Sequence, residues 1–208
     1  MDDALSPFFV AVGASGGDGL RDLQELVGAL PCRFSAVVML VLHRPTDRLS
    51  DLGGILGRVS SLPVIVAAPG EKLEPGTIYI GEPAEHLRLA ARDLGELVAD
   101  PADEYRNRTV DLLFRSLAEH GGGRVIGVVL SGSLDDGSRG LKAIHDAGGI
   151  TMALLGNGGI AGMPENAAAY DGQLDLVGSV EQIAAAVTAI VESGGVRPAA
   201  DPGARPPA

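Results

Sequence analysis

The stretch FFVAVGASGGDGLRDLQELVGALP, residues 8–31, decides how the rest of the chain is read. FFVAVGA is a run of apolar and small residues, as expected of a strand buried on both faces. After the glycines, Leu20, Leu23, Leu26, Val27 and Leu30 recur at helical spacing, and Pro31 supplies the stop. A buried strand therefore runs through a glycine-rich turn into an amphipathic helix. Gly13-Ala14-Ser15-Gly16-Gly17 also fits the G-x-S-x-G pattern of a serine held on a crowded strand-to-helix turn that can carry strain. Free N–H groups at the start of the helix, near Gly16 and Gly17, would then face the same spot and stabilise an oxyanion. The competing readings are a phosphate-binding loop and an uncommitted turn. A dinucleotide fingerprint starting at Gly13 needs glycine at 15 and 18, where Ser15 and Asp18 stand. It also wants an acid at the end of the second strand, where His43 stands.

The same alternation continues outward. SAVVMLVLH (35–43) and PVIVAA (63–68) read as strands, with LSDLGGILGRVS (49–60) as a helix weakened by its glycines. TIYIGEP and HLRLAAR read as an antiparallel hairpin near residues 77–90, and GELVAD (95–100) as a further short antiparallel strand. TVDLLFRSLAEHG (109–121) is a helix with Val110, Leu113, Phe114 and Leu117 on one face. RVIGVVLSG, SRGLKAIHDAGG, ITMALL, MPENAAAYDG, LDLVGS and VEQIAAAVTAIVES continue as strand, helix, strand, short helix, end segment and last helix. The expected fold is α/β, a doubly wound and mostly parallel sheet with an antiparallel hairpin. Residues 1–193 are expected to form one domain, and the Pro- and Gly-rich residues 194–208 a disordered tail.

Composition narrows the partners. The chain of 208 residues has 16 Lys and Arg against 27 Asp and Glu, a net charge of −11. Such a surface repels nucleic acid and anionic lipid. No apolar run has membrane-spanning length, and the acidic start MDDALSP lacks the form of a secretion signal, so a cytoplasmic protein is expected. The single cysteine, Cys32, excludes an intrachain disulfide and reads as a small core hydrophobe. No pair of histidines has metal-ligand spacing, and neither a metal nor a cofactor is expected.

In a doubly wound sheet, functional residues lie beyond the carboxyl ends of the strands. Three such ends carry Ser15, His43 and the pair Asp135 and Asp136. Serine, histidine and aspartate are the set needed for acyl transfer. His43 follows seven consecutive apolar residues, Ala36 to Leu42, and on position alone it is as readily structural as catalytic. Either aspartate could orient it, and either could instead sit in the first turn of the next helix. Arg44 is a candidate basic contact for an acidic partner or a solvated loop residue. His86, His120 and His145 read as surface or packing residues. The order Ser, His, Asp differs from that of the α/β-hydrolases.

VGASGG, LHRP, LEPGTIYIGEPAEHLRL, TVDLLFRSLA, LSGSLDDGSRGLKAIHDAGG and AGMPENA, in this order, resemble the catalytic domain of the chemotaxis receptor methylesterases, the CheB type. The resemblance runs from about Phe8 to Val191. It implies a serine hydrolase that cleaves glutamate γ-methyl esters on the cytoplasmic helices of methylated chemoreceptors and releases methanol, and that can deamidate certain glutamines. It places the nucleophile on Ser15 and the histidine on His43. In the family's loop the aspartate directly precedes a glycine, which matches Asp136 before Gly137. The Ser133 loop is a further candidate for holding the oxyanion, and Met163, in the Gly-Met-Pro segment, is a candidate substrate contact near the implied site.

Departures are visible. The family's loop often reads Gly-Met-Gly-x-Asp-Gly, whereas here it is Gly132-Ser133-Leu134-Asp135-Asp136-Gly137. Gly16 stands where Thr or Ala is frequent, Leu42 where Gln is frequent, and Asn107-Arg108-Thr109 in place of Arg-Pro-Ser. Members commonly carry a phosphorylated receiver domain ahead of the catalytic one. Only MDDALSP precedes the first strand here; if that is the whole protein, control by an attached receiver is not expected. The alternatives are an idle partner-binding domain of the same fold, an esterase acting on a non-receptor substrate such as another methylated protein, and a nucleotide- or phosphate-binding protein.

Overall fold

The computed structural model describes residues 7–44, 51–81, 85–91, 93–100, 108–132, 135–156, 162–169 and 174–195. Strand β1 (Phe8–Ser15) enters helix α1 (Gly16–Ala29), which returns to β2 (Ala36–His43). The short helix α2 (Leu52–Gly57) leads to β3 (Val64–Val66) and β4 (Ile78–Ile80). Then come β5 (Glu85–Ala91), β6 (Leu94–Ala99) and helix α3 (Thr109–His120). The chain continues through β7 (Val125–Val129), α4 (Ser138–Asp146), β8 (Ile150–Leu154), α5 (Met163–Ala169), β9 (Leu176–Gly178) and α6 (Val180–Glu192).

Among the described residues seven strands form one parallel sheet in the order β3-β4-β2-β1-β7-β8-β9. Strand pleating sends alternate side chains of β1 to opposite faces. Val10 and Val12 pack with Leu23, Leu26 and Val27 of α1 and with Ile183, Val187 and Ile190 of α6. Phe9 and Ala11 pack with Val110, Leu113, Phe114 and Leu117 of α3 and with Leu141 and Ile144 of α4. The sheet is thus covered by helices on both faces. Among the described residues no helix is long and apolar enough to cross a membrane.

Two readings from the sequence change. TIYI does not form a hairpin with HLRLAAR: Ile78–Ile80 lies between β3 and β2 in the parallel sheet. Ile78, Tyr79 and Ile80 are all buried, as both sides of an inner parallel strand must be. The antiparallel hairpin begins later and joins β5 to β6, with an irregularity between Leu89 and Ala91. Cys32 is exposed and not a core residue. It follows Pro31 in the turn after α1 and so lies outside the packed elements. His86 is buried on β5, with Nε2 3.2 Å from Asp100 Oδ2.

Candidate active site

Strand order brings the candidate residues together. β2 and β7 flank β1, so the carboxyl ends of all three adjoin. The β1–β2 register sets Ser15 directly opposite His43. On the other side, Leu130 N donates to Gly13 O at 2.9 Å and Ser15 N to Ser131 O at 2.9 Å. The loop leaving β7 is therefore tied to the serine turn, with a further bond from Ser131 N to Asp22 Oδ2 of α1 at 3.1 Å.

The glycines of that turn serve different purposes. A Cβ on Gly13 would run into the Val110 side chain, and one on Gly19 would lie 2.7 Å from Ser131 O. Both are glycine so that α3 and the β7 loop can close in. Gly16 has φ +69° with open space around it, so it is the residue that turns the chain. Ser15 has φ −142° and ψ 142°, ordinary extended backbone; the strain allowed for at the serine is absent because Gly16 makes the turn. Gly17 has open space above it as well. The first N–H groups of α1 therefore border open space and have no partner within the helix.

Ser15 occupies the N-cap position of α1, where a serine ordinarily accepts a bond from the first turn. Here its side chain makes no capping bond. Half-buried at the end of β1 and opposite His43, the hydroxyl is not consumed by secondary structure.

His43 Nε2 lies 2.8 Å from Asp136 Oδ2, with the histidine side chain 11% exposed and the carboxylate fully buried. With a carboxylate as acceptor, Nε2 carries the hydrogen and Nδ1 keeps the lone pair. Asp136 is held from two more directions: Val110 N donates to Oδ2 at 2.9 Å and Asp111 N to Oδ1 at 2.8 Å. These are first-turn N–H groups of α3, whose own N-cap residue, Arg108, offers no side-chain bond. Asp136 thus caps a helix remote in sequence while holding the imidazole. Asp135 is exposed and lines an open cleft with Ser138, Arg139, Asn166 and Ala169.

Asp111 returns the favour. Its Oδ1 accepts from Gly137 N at 3.1 Å and Gly140 N at 2.7 Å, at the start of α4. Burial pushes its carboxyl above the ordinary value, aided by the charge of Asp136 and opposed by the Gly140 and Gly137 N–H groups and by Arg115. An acid raised in the folded state holds its proton after the unfolded chain has released it. Stability therefore falls as pH rises from the ordinary carboxylate value through the raised one. Asp111→Asn should flatten that part of the stability–pH curve, measured by urea denaturation from acid to neutral pH; an unchanged slope would assign it to another group.

The far wall belongs to Gly132 and Met163. Met163 is fully buried, and its N donates to Gly132 O at 2.8 Å. A Cβ on Gly132 would strike Met163 Sδ and lie 2.8 Å from Ser15 Cβ. Gly132→Ala is expected to cost about 1–3 kcal/mol by overpacking, read as a lowered denaturation midpoint; no change would mean that the loop yields freely. Arg44, next to His43, donates through Nη2 to Gly81 O at 2.7 Å, so its guanidinium is tethered to the end of β4. Ser133 lies outside the described residues. Among the described residues no three His, Cys, Asp or Glu side chains converge as metal ligands would.

Sequence reasoning missed Asp111 and Gly132 as members of the site. An acid in a first helical turn reads as an ordinary complement to the helix dipole, and a glycine after a strand reads as a turn. Neither shows at the level of local pattern that its partner comes from a distant segment.

Comparison with known proteins agrees with this architecture. The family model described as CheB methylesterase matches residues 10–187. The chain is 38% identical over 169 residues to protein-glutamate methylesterase/protein-glutamine glutaminase 1 of Cupriavidus pinatubonensis, covering 81% of this chain and 49% of that protein. It is 34% identical over 168 residues to protein-glutamate methylesterase/protein-glutamine glutaminase 2 of Pseudomonas syringae, covering 80% and 50%. The chain spans about half the length of these relatives. The crystal structure of the Thermotoga maritima CheB methylesterase catalytic domain superposes with a TM-score of 0.78 at 27% identity, covering 89% of this chain and all of that one.

Proposed function

The chain belongs to the CheB methylesterase family, and from that premise we propose that it hydrolyses glutamate γ-methyl esters on the cytoplasmic helices of methylated chemoreceptors, yielding glutamate and methanol. The observation that carries the mechanism is the 2.8 Å bond between His43 Nε2 and the buried Asp136 carboxylate, with Ser15 in register opposite the imidazole. Ser15 Oγ attacks the ester carbonyl while His43 takes its proton. Because Nε2 is committed to Asp136, the accepting nitrogen is Nδ1. The tetrahedral oxyanion forms against the N–H groups of Gly16 and Gly17, where the helix start favours negative charge. Collapse of the intermediate breaks the ester C–O bond, and His43 hands its proton to the departing methoxide as methanol leaves. Water then attacks the acyl-serine with His43 as base, restoring Ser15 and releasing the glutamate side chain. The same steps on a glutamine would release ammonia, in line with the glutaminase part of the relatives' names.

Charge bears on how a substrate docks. The chain carries a net −11, and acidic partner helices would be repelled without a local cation. Arg44, next to His43 in the chain and bonded to Gly81 O, is the cation assigned to that role.

The test is methanol release from methyl-labelled receptor membranes. Release by the native protein supports the reading. Absence of release, together with labelling of Ser15 by a serine-directed phosphonate, would keep the serine hydrolase but move it to another methylated protein. Absence of both would leave an idle partner-binding domain.

A further inference from the structure

We infer that Asp111 is a positioning residue: its carboxylate holds the turn that presents Asp136 to His43. The inference rests on the reading of Ser15, His43 and Asp136 as one reacting set.

Asp136 stands two residues before α4, in the connection from β7. Buried side chains in such connections keep one geometry only if the backbone around them is held. Here the residue directly after Asp136 is Gly137, with φ +100°, in the left-handed region that only glycine adopts readily. A glycine there is free to move unless something restrains it. Leu141 N holds its carbonyl at 2.8 Å, and the restraint on its N–H is Asp111 Oδ1, which accepts from Gly137 N at 3.1 Å and from Gly140 N at 2.7 Å. The backbone N–H of Asp111 meanwhile donates to Asp136 Oδ1 at 2.8 Å. One residue therefore grips the turn at two points, by its side chain after Asp136 and by its main chain on Asp136 itself.

The arrangement is reciprocal. Asp136 caps α3 from the α4 turn, and Asp111 caps α4 from α3. Neither helix has a side-chain cap at its own N-cap position: Arg108 makes none for α3 and Gly137 has no side chain to offer α4. Each helix start depends on the acid of the other, so a shift of α4 against α3 would carry Asp136 away from His43. Space is tight as well. A Cβ on Gly140 would lie 2.5 Å from Phe114 Cβ of α3, so the two helices are packed at the point where Asp111 holds them. The acid belongs to the machinery although it makes no bond to His43 among the described residues.

The chemistry separates geometry from charge. Asn at 111 keeps an oxygen that can accept from Gly137 and Gly140 but carries no charge. Ala keeps neither. If Asp111 acts by holding the turn, Asp111→Ala should lower kcat by about 100-fold, the cost of moving a reacting group by about an ångström, with KM little changed. Asp111→Asn should restore kcat to within a few fold of the native value. A second readout does not need turnover: the ¹H and ¹⁵N resonances of the His43 ring, assigned by comparison with His43→Gln. In the native protein the Nε2–H signal should have the downfield position of a proton shared with a carboxylate. It should shift or broaden in Asp111→Ala and return in Asp111→Asn. If the native protein cleaves no ester, the functional reading fails, while the ring resonances still decide this inference. Native kcat together with a native His43 spectrum in Asp111→Ala would overturn it, as would failure of Asn to restore either. Should Asp111→Ala not fold, Asp111→Ser keeps a polar group in the same space but is too short to hold both N–H groups. An intermediate loss of kcat with a shifted ring signal is then expected, and native values of both would overturn the inference.

Discussion

Ser15→Ala should abolish methanol release while leaving the fold intact. The expected loss in kcat is on the order of a million-fold, as when the nucleophile of a serine, histidine and aspartate set is removed. The structural side of this expectation is unusual for a serine at a helix N-cap. Replacing such a residue by alanine typically costs about 1 kcal/mol because a capping bond is lost. Ser15 makes no capping bond, its backbone is extended, and alanine fits an extended strand end as well as serine does. The turn itself is made by Gly16, which the substitution leaves alone. Thermal melting of the variant should therefore overlay that of the native protein, and loss of activity cannot be assigned to unfolding. Methanol release and melting on the same preparation check both halves. Substantial turnover by Ser15→Ala would place the nucleophile elsewhere.

Asp136→Asn should do the opposite in one respect: it should damage both rate and stability. In the template set, the equivalent change lowers kcat by about 10⁴-fold, because the histidine is left in the wrong tautomer. The same logic holds here with the ring nitrogens exchanged, since Asp136 meets Nε2. The buried carboxylate accepts from three donors: His43 Nε2 and the N–H groups of Val110 and Asp111. Asparagine has one acceptor oxygen, and its amide group must point at one set of donors. If the oxygen takes the Oδ1 place it keeps only the Asp111 N–H, and the amide confronts both Nε2–H and the Val110 N–H, so the ring must change tautomer or move. If it keeps His43, an N–H of α3 loses its partner. A buried donor left unsatisfied costs about 1–3 kcal/mol. Steady-state kinetics with urea denaturation should register both losses. A variant with native stability and a lowered rate would mean that α3 finds another cap, and a native rate would remove Asp136 from the reacting set.

These two residues also mark how far the site was legible from the chain. Ser15 stands out as a candidate, with a phosphate-binding loop and an uncommitted turn as rivals, because the pattern of small residues around it is local and the strand before it is a continuous apolar run. His43 was visible as a polar residue closing another such run. Asp136 could not be told from Asp135 by position, since both lie in one loop before one helix; resemblance to a family favoured the one before glycine. Burial and the bond to His43 separate them physically, because the exposed Asp135 lines an open cleft and Asp136 is enclosed.

The chain alone laid out the alternation of strands and helices, the helical face of α1 and that of α3. All of these rest on spacings of two to four residues, which the periods of strand and helix impose directly on the chain. It misplaced Ile78–Ile80, because a three-residue apolar strand looks the same in an antiparallel hairpin as at an inner position of a parallel sheet; only its burial between β3 and β2 distinguishes them. The tertiary structure alone decided that Asp136 caps α3, that Asp111 caps α4 in return, and that Gly132 must be glycine to fit between Ser15 and Met163. Those contacts join residues far apart in the chain, brought together when the helices settle on the sheet. No local period encodes them, because a hydrogen bond or a close approach between distant segments depends on the packing of whole elements.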